Sequence, residues 1–513
     1  MVIATAVALA GASAALYYQG AGLTLSHYDA RAHLVVARRV FDSLTPGWQQ
    51  VGAVWLPLPH LLNAIPVQVD SLYRTGASAI AISILSIALA AGSLAWLIQR
   101  LTGSLLGGLT CAALLMLNPD VLYLQSTPMT EPLLFGTTFL AVALIADWTL
   151  GAEPAVGRPP SPLRGFGGTP RVRSSAPGGW ACIGAVLTRY EAWPIVAGAI
   201  GLAFIVRVRR GEPSIVAFRK VRGLALYPLW AIAAFLVNSK ITVGAWFVDS
   251  GFFVADNPAR GHAWLAWTQL WDGLRTLVGS PLAWCAWIAI AAVISTALAR
   301  RERAALLIVL ALAASAILPW GAYFKGHPFR IRYDVPLVAA AAALIGCGVA
   351  LLPRALRVPA TVVVLGIALW DAHPLDLKAP MVVEAQLDAR NTVARAAVTT
   401  YLQQHWDGTP ILMSMGSLGH YMHDLSNAGF NVRDFLHEGN GEIWKAALAH
   451  PQPYVKWIVV EEKAEGGDVL YWEGKLDPRF FAGYQRVAQG GNVALYQQSE
   501  RQQQEIRRAL GER

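Results

Sequence analysis

A chain of 513 residues with 55% hydrophobic and only 14% charged residues is too apolar for an ordinary soluble protein. Its mean hydropathy is +0.43, and long apolar runs recur along it, so a polytopic α-helical membrane protein is expected. The formal net charge of +9 would suit a nucleic-acid binder, but the basic residues cluster in short loops between apolar runs, which is the positive-inside pattern and argues for no nucleic-acid partner.

The first apolar segment, Val2 to Leu23, is long enough to cross a bilayer. It lacks a basic n-region, and although Ala12-Ser-Ala14 resembles a cleavage site, an uncleaved first helix is expected. Leu25 to Arg39 follows. Its apolar residues recur at Ala30, Leu34, Ala37 and Phe41, while Arg31, Arg38, Arg39 and Asp42 fall on other faces. That spacing predicts an amphipathic helix lying on the membrane surface, apolar side down. Asp29 stands at its start with two readings. Ser26-x-x-Asp29 fits a capping box, where the carboxylate merely ties up backbone N–H groups. Alternatively, Asp29 faces the head group of a membrane-borne substrate.

Trp55-Leu-Pro-Leu-Pro-His60 opens a second interfacial stretch, to about Val69, because two prolines make a poor spanning segment. Apolar runs follow at 76–98, 104–118 and 132–150, then a Gly/Pro/Ser/Arg-rich loop at 151–177. Residues 178–206 pose a choice between one helix with Arg189 and Glu191 at mid-membrane and two short helices meeting at Leu187-Thr-Arg-Tyr-Glu-Ala-Trp-Pro194. The flanking loops are both basic: Arg158, Arg164, Arg171 and Arg173 before, and Arg207, Arg209, Arg210, Arg219, Lys220 and Arg222 after. A hairpin keeps both on the inner side. Its tip would then sit below the outer surface, where irregular backbone is tolerated only if it lines a cavity.

Further runs at 224–243, 281–299, 304–319, 334–352 and 358–371 bring the expected spans to about eleven. Arg100, Arg300, Arg301, Arg303, Arg354 and Arg357 join the inner loops, whose only acids are Glu153, Glu212 and Glu302. The loops at 22–75, 119–131, 244–280 and 320–333 then face outward, as does the C-terminal part. Cys111, Cys182, Cys285 and Cys347 all lie in apolar segments without metal-ligand spacing and read as small buried hydrophobes.

From residue 372 the composition turns globular. A polar helical stretch from Val383 to His405 precedes strand-like runs at Ile411–Met415, Trp457–Glu462 and Asn492–Gln497. The expected organisation is a membrane module over 1–371, an extracytoplasmic α/β domain over 372–499 and a solvated tail over 500–513.

This topology collects unusual charges on one face. Asp29 follows the first helix, Thr127-Pro-Met-Thr-Glu131 precedes the fourth, and Arg189 and Glu191 cap the hairpin. The last outer loop reads Lys325-Gly-His-Pro-Phe-Arg-Ile-Arg-Tyr-Asp334. Ionisable groups at membrane depth are costly and pair with each other or with a ligand. Each also has a structural reading: helix-dipole chemistry for Glu131, a mutual ion pair for Arg189 and Glu191, and snorkelling to lipid head groups for Arg330 and Arg332. A basic cluster on the outer side nevertheless runs against the bias elsewhere, and an anionic partner such as a phosphate accounts for it.

The pattern resembles the GT-C glycosyltransferases, polytopic enzymes that take a sugar from a polyprenyl-phosphate carrier. It is most similar to the branch holding the dolichyl-phosphate-mannose and bacterial protein mannosyltransferases and the lipid A aminoarabinose transferase. The matching residues are Tyr28-Asp29, Thr127-Pro-Met-Thr-Glu131, Leu187-Thr-Arg-Tyr-Glu191 and Arg332-Tyr333 with Pro336, together with the outer α/β domain. Several relatives carry an Asp-Glu pair where this chain has Asp29-Ala30, so a second acid is expected elsewhere, with Glu131 the candidate.

The resemblance implies an inverting glycosyltransferase with Asp29 as general base. It would move a mannose-like hexose or pentose from a polyprenyl-phosphate-linked donor to a hydroxyl of a glycan, lipid or protein acceptor. Arg189, Arg330, Arg332, Tyr333 and Lys325 would surround the donor phosphate. His27, Tyr28, His60, Tyr190, Glu191 and His327 would line the remainder. A divalent metal held by His27, His60, Glu131 and His327 is a weaker expectation, since no spacing supports it. Composition points to a bacterial inner membrane, with the N-terminus cytoplasmic and the C-terminal domain periplasmic. Two other classes stand against this. A transporter or flippase of a lipid-linked glycan would show inverted repeats and paired broken helices, whereas the chain has one broken hairpin and no two-fold pattern. A non-catalytic assembly subunit would use the outer domain to bind a partner.

Overall fold

The protein is described from a computed structural model covering residues 1–151, 174–248, 257–371, 373–463 and 467–499. Glu153, Arg158, Arg164, Arg171 and Arg173 of the basic loop, and the tail from Glu500, lie outside the described residues.

Eight helices are long and apolar enough to cross a membrane: Val2–Gly20, Ala77–Thr102, Glu131–Leu150, Ala192–Arg209, Ser214–Val243, Ser280–Ala299, Arg301–Lys325 and Ile331–Leu351. The chain is thus an integral membrane protein. The other three expected spans are also helical but differ in kind. Leu105–Leu117 and Ala176–Val186 are shorter than a full crossing, and Arg354–Asp371 carries Arg354, Arg357 and Asp371 at its ends. Residues 178–206 form two helices, Ala176–Val186 and Ala192–Arg209, broken at the Arg-Tyr-Glu tip. The stretch 244–280, expected to face outward and left without structure by the periodicity, contains a helix, Ala263–Val278, with Trp264, Trp267 and Trp271.

Ile331–Leu351 is the centre of the bundle, with 89% of its most apolar window buried. Its small residues explain this, because without water to drive helix association in lipid, close backbone approach supplies the packing energy. At the crossing with Leu105–Leu117, a Cβ placed on Gly107 would lie 2.5 Å from the Gly346 carbonyl oxygen, and one on Gly346 2.6 Å from that of Gly107. Only glycine fits either position.

The basic loops gather at one end of the bundle. Arg100 pairs with Asp147 at 2.9 Å, Arg209 donates to the Leu298 carbonyl at 2.9 Å, and Arg303 donates to that of Leu101 at 2.9 Å. The opposite end carries the C-terminal α/β part. Helices Pro380–Ala385, Ala389–Ala394 and Ala396–His405 lead into a five-stranded sheet of order β2-β1-β3-β5-β4. The strands are β1 (Ile411–Met413), β2 (Phe435–Leu436), β3 (Trp457–Glu461), β4 (Tyr484–Gly490) and β5 (Val493–Gln498). β1 runs parallel to β2 and β3, while β5 is antiparallel to both β3 and β4. β1, β3 and β5 match the expected runs. β2 is too short to show a period, and β4 is too polar to stand out.

The stretch around Asp29 differs from its expected setting. It forms a helix, α2 (Tyr28–Arg38), but Ala30, Arg31, His33, Leu34, Val35, Val36, Ala37 and Arg38 are all buried. The helix is therefore not laid on a membrane surface with its polar side in water. The C-terminal domain covers that polar side and satisfies it. Arg31 pairs with Asp424 at 2.5 Å and with Asp388 at 3.5 Å, and Arg38 pairs with Asp42 at 2.8 Å. Asp42 also accepts the Val432 and Arg433 amides, each at 3.3 Å. Periodicity predicted the helix but not what would cover its charged face.

Candidate functional site

Asp29 lies in the first turn of α2, 7% exposed. The capping box is not used. The N-cap is His27, whose Nδ1 accepts the Asp29 amide N–H at 3.1 Å, while the Ser26 hydroxyl is engaged by the Leu23 carbonyl and Tyr123. The Asp29 carboxylate is thus free of capping duty, and it contacts the Arg332 guanidinium. Arg332 arrives from a turn, Ile331–Asp334, at the mouth of the central helix, with its guanidinium 5.2 Å from the Tyr333 ring centre.

The hairpin tip supplies a second cluster. Arg189 forks onto Glu191 at 2.8 Å, reaches Glu131 at 3.1 Å and donates to the Thr130 hydroxyl at 2.8 Å. Glu131 is fully buried in the first turn of its helix and Glu191 is 3% exposed. The ion-pair reading of Arg189 and Glu191 is therefore correct but incomplete, because one guanidinium serves two carboxylates. A single cation cannot neutralise both, and the surplus negative charge must be met by a bound group or a proton. The irregular backbone at the tip is satisfied. The Leu58 N–H donates to the Leu187 carbonyl at 2.9 Å, the Trp193 indole to that of Val186 at 2.9 Å, and the Tyr190 hydroxyl to that of Val54 at 3.0 Å.

Glu384, from helix Pro380–Ala385, enters the first cluster and was not singled out in the sequence. Its Oε1 faces His27 Nε2 at 3.7 Å, too long for a hydrogen bond, and the charges of Arg332 and Arg330 bear on it. Burial pushes the Glu384 carboxyl up, but His27 and the two arginines outweigh it, so it sits below the usual carboxylate range. Burial pushes the His27 imidazole down to about 4, with Glu384 opposing and Arg332 reinforcing the shift. The imidazole is therefore neutral beside an ionised carboxylate. The one sequence signal was an acid isolated in an apolar run, Met381-Val-Val-Glu384-Ala, easily passed over inside a soluble-looking domain.

Among the described residues, His27 Nε2, Glu384 Oε1, Arg332 Nε, both Glu131 oxygens and Asp334 Oδ2 are buried without a hydrogen-bond partner. Buried polar atoms are normally paired. His27 and Glu384 leave one such atom each close to Asp29, and Glu131 leaves two beside Arg189.

The other candidates divide. Tyr28 stacks on His27 with centroids 4.7 Å apart, and Tyr333 packs against His327 at 5.2 Å. Lys325 is exposed at a helix end and its ammonium enters none of the ion pairs among the described residues, whereas Arg330 is half-buried and close enough to act on Glu384. The four residues considered for a metal are not gathered. His60 Nε2 meets His33 Nδ1 at 3.0 Å, His27 faces Glu384, Glu131 faces Arg189, and His327 Nδ1 lies 2.9 Å from the Pro328 carbonyl. No group of three or more His, Cys, Asp or Glu among the described residues is placed to hold a metal ion. A small apolar crevice of about 30 Å³ is lined by Leu114, Leu117, Asn118, Leu277, Val338 and Ala342.

No family model matches the chain, and no curated protein sequence matches it. Its fold is nevertheless shared with a solved structure, that of ArnT from Cupriavidus metallidurans in the apo state. The two agree with a TM-score of 0.52 over 97% of this chain and 99% of that one, at 14% identity. The likeness is one of fold: a mostly helical bundle with a small C-terminal sheet.

Proposed function

We propose that the chain is a membrane glycosyltransferase of the GT-C type, moving a sugar from a lipid-phosphate carrier to an acceptor hydroxyl on the outer face of the membrane. The observation that carries this reading is the buried contact of Asp29 with Arg332, a carboxylate and a cation brought together from opposite ends of the membrane module. ArnT, the lipid A aminoarabinose transferase, supports it through the common fold alone.

In this reading the donor phosphate draws Arg332 away from Asp29. Asp29, left unpaired, takes the proton from the acceptor hydroxyl. The hydroxyl oxygen forms a bond to the anomeric carbon as the bond from that carbon to the phosphate oxygen breaks. The electron pair leaves with the lipid phosphate, and fixed guanidinium groups stabilise the charge gained there. Attack opposite the leaving group inverts the anomeric centre. Proton transfer of this kind contributes about 10²–10⁴-fold to rate.

The deciding experiment is Asp29→Asn in purified protein with a polyprenyl-phosphate sugar as donor. A loss of about 10²–10⁴-fold in transfer at unchanged membrane expression supports the assignment. Near-normal turnover overturns it. Lipid movement across liposomes without release of carrier phosphate would instead support a flippase.

A further inference from the structure

The segment after the last membrane helix places Glu384 at the site, and its position is set from two sides. The Asp120 carboxylate, in the short helix Pro119–Leu124 that follows Leu105–Leu117, accepts the Met381 N–H at 2.8 Å and so fastens the helix that carries Glu384. Glu384 itself is 7% exposed, and its Oε1, without a hydrogen bond, faces the equally unpartnered His27 Nε2. On the far side of that ring, Nδ1 accepts the Asp29 amide N–H. A backbone amide can only donate, so Nδ1 carries no proton. The neutral ring must then hold its single proton on Nε2, directed at Glu384. Arg332 completes the arrangement, in contact with Asp29 and within the field of Glu384.

We propose that Glu384 is a positioning residue for the transfer reaction: facing Nε2 of His27, it holds that ring in the one tautomer that caps the Asp29 amide. The proposal rests on the transferase reading. Once Arg332 has moved, the negative charge of Glu384 opposes ionisation of Asp29 and makes it a stronger base. The charged and titratable groups facing Glu384 are His27 from the start of α2, Arg330 and Arg332 from the turn before the central helix, Asp120 and Glu131.

The test compares Glu384→Gln and Glu384→Asp in the full-length protein in liposomes. Glu384→Gln is expected to lower kcat by about tenfold to a hundredfold, with KM for the lipid donor changed far less. The acid limb of its kcat/KM profile should move to lower pH, because Asp29 has lost a neighbouring negative charge. Glu384→Asp should recover part of the rate and restore the limb. An unmoved limb in Glu384→Gln, or a rate loss accounted for entirely by less folded protein, overturns the proposal. Histidine-selective ¹⁵N NMR in detergent, with His27→Gln assigning the signal, provides a second readout that does not depend on turnover. Neutral His27 protonated on Nε2, losing that preference in Glu384→Gln, supports the proposal; protonation on Nδ1 overturns it. If Asp29→Asn is fully active the transferase reading fails, while the NMR result still decides whether Glu384 governs His27.

Discussion

Arg332 reaches Asp29 across 303 positions of sequence, and the two side chains meet in a buried contact between the mouth of the central helix and the start of α2. In the chain without substrate this pairing occupies both the proposed base and the proposed phosphate ligand. Replacing Arg332 by Gln should therefore have two separable effects. Loss of the cation should lower kcat/KM for the lipid donor by about 10²–10³-fold. The acid limb of the pH profile should move to higher pH, because Asp29 no longer has an opposite charge beside it. Arg332→Lys should restore the limb further than the rate, since an ammonium cannot grip phosphate bidentately.

Arg189 stands between Glu131 and Glu191, and its removal leaves two buried carboxylates without their cation. Breaking a buried pair in this way costs about 3–5 kcal/mol. Arg189→Gln is expected to lower the thermal midpoint sharply in detergent. The triple variant with Glu131→Gln and Glu191→Gln should regain most of that stability. It should not regain transfer, which separates the structural role of the cluster from its chemical one.

Stability should fall on mild acidification. His27 has its imidazole driven from the ordinary 6.5 down to about 4, and His60 to about 3, both by burial. Unfolded chains take up these protons near pH 6.5 and the folded protein does not until much lower. The contribution is therefore complete above about pH 6.5 and is lost as pH falls towards 4. At 1.36 kcal/mol per unit, His27 alone accounts for about 3 kcal/mol. Asp388 is expected to extend the loss. Burial opposes its ionisation, but His420 and Arg395 hold its carboxyl well below the usual range, so its contribution disappears only below about pH 4. Thermal unfolding of the detergent-solubilised protein between pH 8 and pH 4 checks the direction, and His27→Gln should flatten the upper part of the curve.

The Gly107–Gly346 crossing sets the position of the central helix and, through it, of Arg332. Alanine at either site brings a methyl group within 2.5–2.6 Å of the opposite carbonyl oxygen. A cost of about 1–3 kcal/mol follows from overpacking, read as a lower thermal midpoint. Activity should fall with it if the helix shifts, although neither glycine touches the site.

The sequence by itself determined the membrane class, the broken hairpin and a helix with Asp29 at its start, because apolar periodicity and the placing of Lys and Arg are local properties. It also singled out Asp29, Glu131, Arg189 and Arg332, since each is an ionisable group next to an apolar run, where its cost makes it conspicuous. Only the tertiary structure decided how these charges are shared. Arg332 goes to Asp29, Arg189 is divided between Glu131 and Glu191, His60 turns to His33, and Lys325 stays at the surface. The burial of α2 and the arrival of Glu384 were likewise invisible beforehand. Both depend on how the C-terminal domain docks onto the bundle, a contact between segments more than 350 residues apart. Ion pairing is chosen by proximity and desolvation in three dimensions, and no local pattern in the chain encodes which partner lies nearest.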